Sequence, residues 1–140
     1  ICDPKPYAQQ LEETGCDVVL SPRIDGRLEA LERLINQIAS ASLVLAGSLH
    51  AAIVACVYGV PFAFYNSGHI DCPFKWIDFA ASVGMDAQFV QSVAQYRECI
   101  EPSGQRPVLP PVAPLLQRAP FTLRAGCLEK AEAVDRLVTE

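Results

Sequence analysis

The chain has little positive charge. It carries 11 Lys and Arg residues against 16 Asp and Glu residues, which gives a net charge of −5 at pH 7. Because there is no basic field to gather phosphates, this composition argues against a nucleic-acid partner. Any anion-binding site must then be local, built from a few residues and from backbone dipoles.

Signatures of metal sites and of disulfide frameworks are also lacking. The chain has two histidines and six cysteines, and no two cysteines form a C-x-x-C pair. Such spacings do not support a zinc site, and they favour free thiols in a reducing cytosol over disulfides. We therefore expect a cytoplasmic protein with no metal and no cofactor.

No stretch predicts a targeting or membrane segment. Residues 1–4 lack a basic region followed by an apolar run, so they do not resemble a signal peptide. The apolar run over 43–65 has the length of a bilayer span, but five residues interrupt it: Gly47, Ser48, His50, Gly59 and Pro61. This run predicts a strand, a helix and a strand in the core of a soluble domain.

What the chain does have is an apolar fraction of 51% in 140 residues, enough for one ordinary domain with a real core. Apolar patterning predicts strands over 17–22, 42–46 and 62–65, helices from Arg27, over 49–58 and over about 74–83, and a short element at 89–90. This alternation predicts an α/β, Rossmann-like parallel sheet with helices on both faces. The domain is expected to cover 1–100. A Pro-rich irregular segment over 101–120 and a C-terminal helix over 121–140 that packs on the domain are expected to follow.

The stretch Gly47-Ser48-Leu49-His50 stands where the second predicted strand turns into an apolar helix. Gly59 suits the left-handed position after that helix, and Pro61 prevents its continuation. A histidine at the start of such a helix lies where backbone N–H groups and the helix dipole favour an anion.

Ligands of open parallel sheets bind outside the carboxyl ends of the strands. Three predicted loops leave those ends, over 21–27, 47–50 and 66–72. Together they hold both histidines, His50 and His69, with Arg23, Arg27 and Asp71. We therefore predict a site at this edge.

Several of these residues also have a structural interpretation. Ser48 can act as a helix N-cap, and His50 as a core histidine bonded to a neighbouring carbonyl. Arg23 and Arg27 can be solvated or paired with an acid such as Asp25. These alternatives remain open at the level of sequence.

The same holds around the next helix. His69 and Asp71 can be ordinary polar loop residues, and Trp76 and Phe79 are most simply core residues. Lys75 would begin its helix, where the dipole disfavours a cation, so an anionic group nearby, from protein or ligand, would account for it.

Three motifs in this order resemble the polysaccharide pyruvyl transferase family: the run 47–55, the segment 58–61, and Phe74-Lys75 with Asp78. The resemblance covers about 17–84 and is to the Ser-Leu-His subgroup. It implies a GT-B-like enzyme with two Rossmann-like halves, of which this chain is similar to the C-terminal one. Members transfer the pyruvyl group of phosphoenolpyruvate onto two sugar hydroxyls, which forms a cyclic ketal on a cell-surface polysaccharide or its lipid-linked precursor.

The resemblance also implies residue roles. His50 matches the family histidine associated with phosphoenolpyruvate and is the expected catalytic residue, with Leu49 beside it. Many members carry arginine where Ser48 stands, so the anion needs another cation here, and Arg23 and Lys75 are the candidates.

A sugar hydroxyl must also lose its proton, and His69 or Asp71 is expected to accept it. The expected partners are phosphoenolpyruvate and a glycan or lipid-linked sugar, at the inner face of the membrane. Peripheral membrane association and a homo-oligomer are left open. Two alternatives are a GT-B glycosyltransferase with a nucleotide-sugar donor, and a non-catalytic fragment of such an enzyme.

Overall fold

A computed structural model describes residues 5–68 and 70–139. The chain divides into two compact units, the first ending at Pro107 and the second beginning at Val108. The first unit contains three strands, five helices and a 3-10 turn: α1 Tyr7–Thr14, α2 Leu28–Ala39, β1 Val44–Ala46, α3 Leu49–Val57, β2 Phe62–Tyr65, α4 Pro73–Ser82, β3 Phe89–Val90, α5 Val93–Cys99 and the 3-10 turn Glu101–Ser103. The second unit contains α6 Val112–Gln117 and α7 Cys127–Thr139.

The three strands form one open parallel sheet in the order β1-β2-β3. Ala46 pairs with Phe64, and Tyr65 pairs with Val90, so the strands end close to the same edge. Parallel neighbours need a crossover, and α3 and α4 supply the two connections. The predicted α/β fold with a parallel sheet is therefore confirmed, while its likeness to half of a GT-B enzyme stays a prediction.

Small and aromatic residues build the core around β2. Ala52 and Ala55 of α3 are fully buried, which lets the helix lie close to the sheet. On the strand itself Phe62 and Phe64 are buried, and their rings lie 6.0 Å apart. Cys56 is also buried, and desolvation raises the pKa of its thiol, so it behaves as a small core residue.

The predicted strand over 17–22 is wrong. The segment has no regular structure, and Val18 is 63% exposed. Val19 and Leu20 are half-buried instead along a groove whose other wall includes Leu34 of α2. These apolar side chains thus line a groove beside α2 and do not join the backbone hydrogen bonding of the sheet.

Helix α3 agrees with its sequence signals. It runs from Leu49 to Val57, and Gly59 follows with φ of +68°. The backbone N–H of Gly59 donates to Cys56 O at 3.1 Å, and that of Val60 donates to Ala55 O at 2.9 Å. A left-handed glycine therefore ends this helix, as its position before Val60-Pro61 predicts.

In the second unit, α6 lies inside the Pro-rich stretch that was expected to be irregular. Pro111 is its N-cap and Pro114 occupies its first turn, where a missing N–H costs no helical hydrogen bond. Asp135 of α7 accepts from Val112 N at 2.6 Å and from Ala113 N at 2.9 Å, which caps α6. The predicted packing of the C-terminal helix on the domain stays a prediction.

None of the helices within 5–68 and 70–139 is long and apolar enough to cross a bilayer.

Candidate functional site

The first turns of α3 and α4 follow the carboxyl ends of two adjacent strands. Because Ala46 pairs with Phe64, the next residues, Gly47 and Tyr65, are also neighbours. A Cβ on Gly47 would lie 3.4 Å from Tyr65 Cδ1. The loop 66–72 then leads into α4, so the residues that open both helices belong to one edge of the sheet.

The first turn of α3 is open to a ligand. Ser48 is the N-cap by position, and its carbonyl accepts from Ala51 N at 3.0 Å and Ala52 N at 3.3 Å. Its side chain makes no capping hydrogen bond, so the expected side-chain cap is absent. Leu49 is half-buried at the first helical position. The N–H groups that a helix leaves without internal partners are therefore not capped by Ser48.

His50 is not a core histidine. Its side chain is exposed, and within the described part of the chain it makes neither a hydrogen bond nor an ion pair. The interpretation of a buried imidazole bonded to a carbonyl is thus wrong. The ring stands on the first turn of α3, where it is accessible to a ligand.

The loop after β2 is tied down at its start. Asn66 N donates to Val90 O at 2.9 Å, which joins the loop to β3, and Asn66 Oδ1 accepts from Gly68 N at 2.9 Å. The predicted site residue His69 lies outside the described residues. The loop ends at Cys72, which has a φ of +41°. Among the described residues that are not glycine, Cys72 alone has a positive φ.

Lys75 finds an anionic partner within the protein. Its Nζ donates to Asp71 Oδ2 at 2.5 Å, and their side chains are 38% and 43% exposed. The hydrogen bond from Lys75 is the main reason that the pKa of Asp71 lies below its ordinary value of 3.8, against an opposing effect of desolvation. The structure thus brings two predicted site residues together, and this pairing accounts for a lysine in the first turn of α4.

Trp76, the next residue of α4, is a core residue as predicted. It is 3% exposed, and its ring meets those of Phe64 and Phe89 edge-on, with centroid distances of 5.0 and 5.8 Å. Its indole Nε1–H is buried and has no hydrogen-bond partner among the described residues. The indole nevertheless lies close enough to Asp71 to contribute to lowering that residue's pKa.

The two arginines are placed differently from the prediction. Since the segment before them is not a strand, the loop 21–27 does not leave a carboxyl end of the sheet. Arg27 Nε lies 3.6 Å from Asp25 Oδ2, and both side chains are largely exposed. Arg23 lines the groove along α2, a cavity of about 370 Å³. Arg33 lines the same groove, and its outward position on the predicted helix gave no signal of this.

No metal centre appears among the described residues. They contain no group of three His, Cys, Asp or Glu side chains that could hold an ion. The described cysteines all carry free thiols: Cys16, Cys56, Cys72, Cys99 and Cys127.

Comparisons with known proteins give matches for part of the chain. Residues 13–69 match the family model described as polysaccharide pyruvyl transferase. Over these residues the chain is similar to polysaccharide pyruvyl transferases. The chain is also 37% identical over 70 residues to the succinoglycan biosynthesis protein ExoV of Rhizobium meliloti (strain 1021), a match that covers 50% of this chain and 22% of ExoV. No solved structure matches the chain.

The polysaccharide pyruvyl transferase match divides the predicted site. It contains β1, α3 and β2, and therefore Ser48, Leu49 and His50. It ends before α4, so Asp71 and Lys75 lie beyond the matched residues. The α3 half of the edge thus lies within the family match, while the α4 half is described by the structure alone.

Proposed function

We propose that this chain takes part in polysaccharide biosynthesis as a polysaccharide pyruvyl transferase that moves the pyruvyl group of phosphoenolpyruvate onto sugar hydroxyls. The observation that carries the proposal is the first turn of α3. An exposed His50 stands there beside N–H groups that Ser48 does not cap, within the family-matched residues. ExoV, a protein named for succinoglycan biosynthesis, supports the polysaccharide context.

The chemistry needs the charge on a leaving phosphate to be neutralised, and this turn can do that. Ketal formation from an enol phosphate adds a proton to the methylene carbon and makes an oxocarbenium-like carbon. Two sugar hydroxyls attack that carbon, they lose their protons, and the C–O bond to phosphate breaks. Charge on the leaving phosphate must be neutralised, and a helix N-terminus with an adjacent imidazole does this. His50 would donate to a phosphate oxygen or protonate the phosphate as it leaves.

The resemblance implies an arginine at the position of Ser48, so the proposed site needs a second cation from elsewhere. Lys75 follows the neighbouring strand at the same edge of the sheet, whereas Arg23 lies in the groove along α2. This placement favours Lys75 over Arg23 as the cation of the phosphoenolpyruvate site.

The hydroxyl proton needs an acceptor, and two residues were predicted for it. The low pKa of Asp71 makes its carboxylate a weak base, so it is better suited to accept a hydrogen bond from a sugar hydroxyl than to remove a proton. His69 remains the proposed base. The proposed acceptor is a glycan or lipid-linked sugar handled at the cytoplasmic face of a membrane, without metal or cofactor.

Calorimetry on the 140-residue chain tests the donor. Phosphoenolpyruvate should bind, and UDP-, GDP- and CDP-sugars should not. The same titration is then run on His50→Gln, with Tyr58→Phe at the opposite end of α3 as a matched exposed control. Phosphate release with a glycan acceptor tests transfer. Preference for a nucleotide sugar, or equal phosphoenolpyruvate affinity in His50→Gln, would contradict the proposal.

A further inference from the structure

Trp76 presents a buried donor without an acceptor. It is 3% exposed, and no described residue completes a hydrogen bond with its Nε1–H. A buried donor left unpaired destabilises the fold, and most such groups in folded proteins are satisfied. The ring itself packs well against Phe64 and Phe89, so the indole nitrogen is the unexplained part of this side chain.

An acceptor stands close by but is engaged elsewhere. Asp71 Oδ2 accepts from Lys75 Nζ at 2.5 Å, and Asp71 Oδ1 accepts no hydrogen bond from a described residue. The indole is near enough to Asp71 to affect its titration, although the geometry of a hydrogen bond is not reached. The Asp71 carboxylate thus has two donors near it and is hydrogen-bonded to one of them, Lys75.

We propose that an anion binds Lys75 in place of Asp71, and that the released Asp71 carboxylate turns to accept from Trp76 Nε1–H. In the unbound arrangement Lys75 and Asp71 share one hydrogen bond, and the indole has none. With an anion bound, Lys75 keeps a partner, Asp71 keeps a partner, and the indole gains one. The exchange therefore ends with one hydrogen bond more than it began with.

The surroundings of Lys75 suit an anion. Both members of the ion pair are partly exposed, at 38% and 43%, so a solute can reach them. Lys75 lies in the first turn of the ten-residue helix α4, a turn that contains no acidic residue. The positive end of the helix dipole therefore adds to the ammonium charge.

The ligand class is a small molecule with a phosphate or carboxylate group. Only the identity of that molecule rests on the proposed function, under which the group is one end of phosphoenolpyruvate. The exchange itself follows from Asp71, Lys75 and Trp76 and requires no transfer reaction. Asp71 acts in it as a competitor for Lys75, so its removal should strengthen anion binding.

The single tryptophan of the chain makes the exchange observable. A ¹H–¹⁵N spectrum of the 140-residue protein contains one indole signal, and its proton moves downfield when the N–H gains an acceptor. Inorganic phosphate, pyruvate and phosphoenolpyruvate are titrated separately at constant ionic strength set with sodium chloride. We expect a saturable downfield shift with phosphoenolpyruvate. If Lys75 binds the phosphate group, inorganic phosphate should give the same shift, and if it binds the carboxylate group, pyruvate should give it.

Two variants and a matched control separate the steps. Lys75→Gln should lose both anion binding and the indole shift. Asp71→Ala should bind the same anion several-fold more tightly and yet show no indole shift, because the acceptor is gone. Lys5→Gln removes a lysine from a comparable exposed pair, Lys5–Glu13, whose side chains are 34% and 39% exposed, and should behave as wild type.

Three results would overturn the inference: no indole shift with any of the three anions, weaker anion binding in Asp71→Ala, or an indole shift that survives in that variant. The outcome is independent of transfer. An indole shift without pyruvyl transfer would keep the exchange and remove the proposed function, and transfer without an indole shift would do the reverse.

Discussion

The ammonium of Lys75 lies 2.5 Å from the carboxylate of Asp71, four residues earlier, across the start of α4. This pair joins the loop after β2 to the first turn of the helix. It neutralises a lysine that the helix dipole alone would disfavour. Both residues were predicted for the site, and their pairing decides how each can act in it.

The ion pair predicts the titration of Asp71. Its pKa lies below 3.8 in the folded chain, so the stabilisation from the pair is present above pH 3.8 and is lost as the pH falls through the lower, folded value. The Lys75→Gln variant should bring the pKa back towards 3.8. Carboxyl carbon shifts followed by NMR against pH measure this directly. An unchanged Asp71 titration in Lys75→Gln would show that Lys75 is not the cause.

The end of α3 predicts a contrast between two glycines. Gly59 has φ of +68°, a conformation that costs a residue with a Cβ roughly 1–2 kcal/mol. Gly59→Ala should therefore lower the free energy of unfolding by about that amount. Gly47 is the control, since its Cβ would make only an ordinary contact with Tyr65. Urea unfolding of both variants checks this, and equal midpoints would contradict the stated role of Gly59.

Cys72 predicts a stabilising substitution. Its φ of +41° lies in the left-handed region, and such a residue costs of order 1 kcal/mol when it has a Cβ. Cys72→Gly should stabilise the first unit by up to about 1 kcal/mol, because glycine adopts this conformation freely. Cys72→Ala keeps the Cβ and serves as the matched control. If alanine stabilises as much as glycine, the thiol and not the backbone is responsible.

Asp135 predicts the stability of α6. Its carboxylate accepts from Val112 N and Ala113 N, and loss of a helix cap costs about 1 kcal/mol. Asp135→Asn should speed hydrogen exchange at these two amides. Glu132→Gln, an exposed change on the same helix, should leave them as they are. Unaltered exchange in Asp135→Asn would mean that the carboxylate does not hold α6.

Local signals in the sequence were sufficient for much of the fold. β2 was predicted at its observed bounds because four apolar residues follow a glycine-proline stop. The helix before it was predicted to within one residue, since Ser48 and Gly59 mark its two ends. A short element of unspecified type was predicted at 89–90, where the structure has the strand β3.

The predictions that failed depend on tertiary packing, which the sequence pattern does not show. Val18-Val19-Leu20 has the composition of a buried strand, yet Val19 and Leu20 lie along the α2 groove. A short apolar run has no periodicity that separates pairing with a sheet from packing against a helix. The prediction that Arg23 lies at the edge of the sheet depended on that strand, whereas Arg23 lines the α2 groove.

The site was predicted in outline but not in its contacts. A histidine after a strand and a serine indicates an exposed helix start, and His50 is indeed exposed. The spacing of four residues allows Lys75 to pair with Asp71. The sequence left open whether the anionic partner of Lys75 is a protein residue or a ligand. The unpaired Trp76 donor has no sequence signal at all, because only the packed structure shows which indole atoms lack an acceptor.

In the proposed function, His50 on the first turn of α3 binds the phosphate of a pyruvyl donor. Calorimetric titration of phosphoenolpyruvate into the wild-type chain and into His50→Gln tests it most directly. A hydrogen bond to a charged group contributes about 1.5–3 kcal/mol, so the variant should bind roughly tenfold to a hundredfold more weakly. Equal affinity in the two proteins would contradict the account.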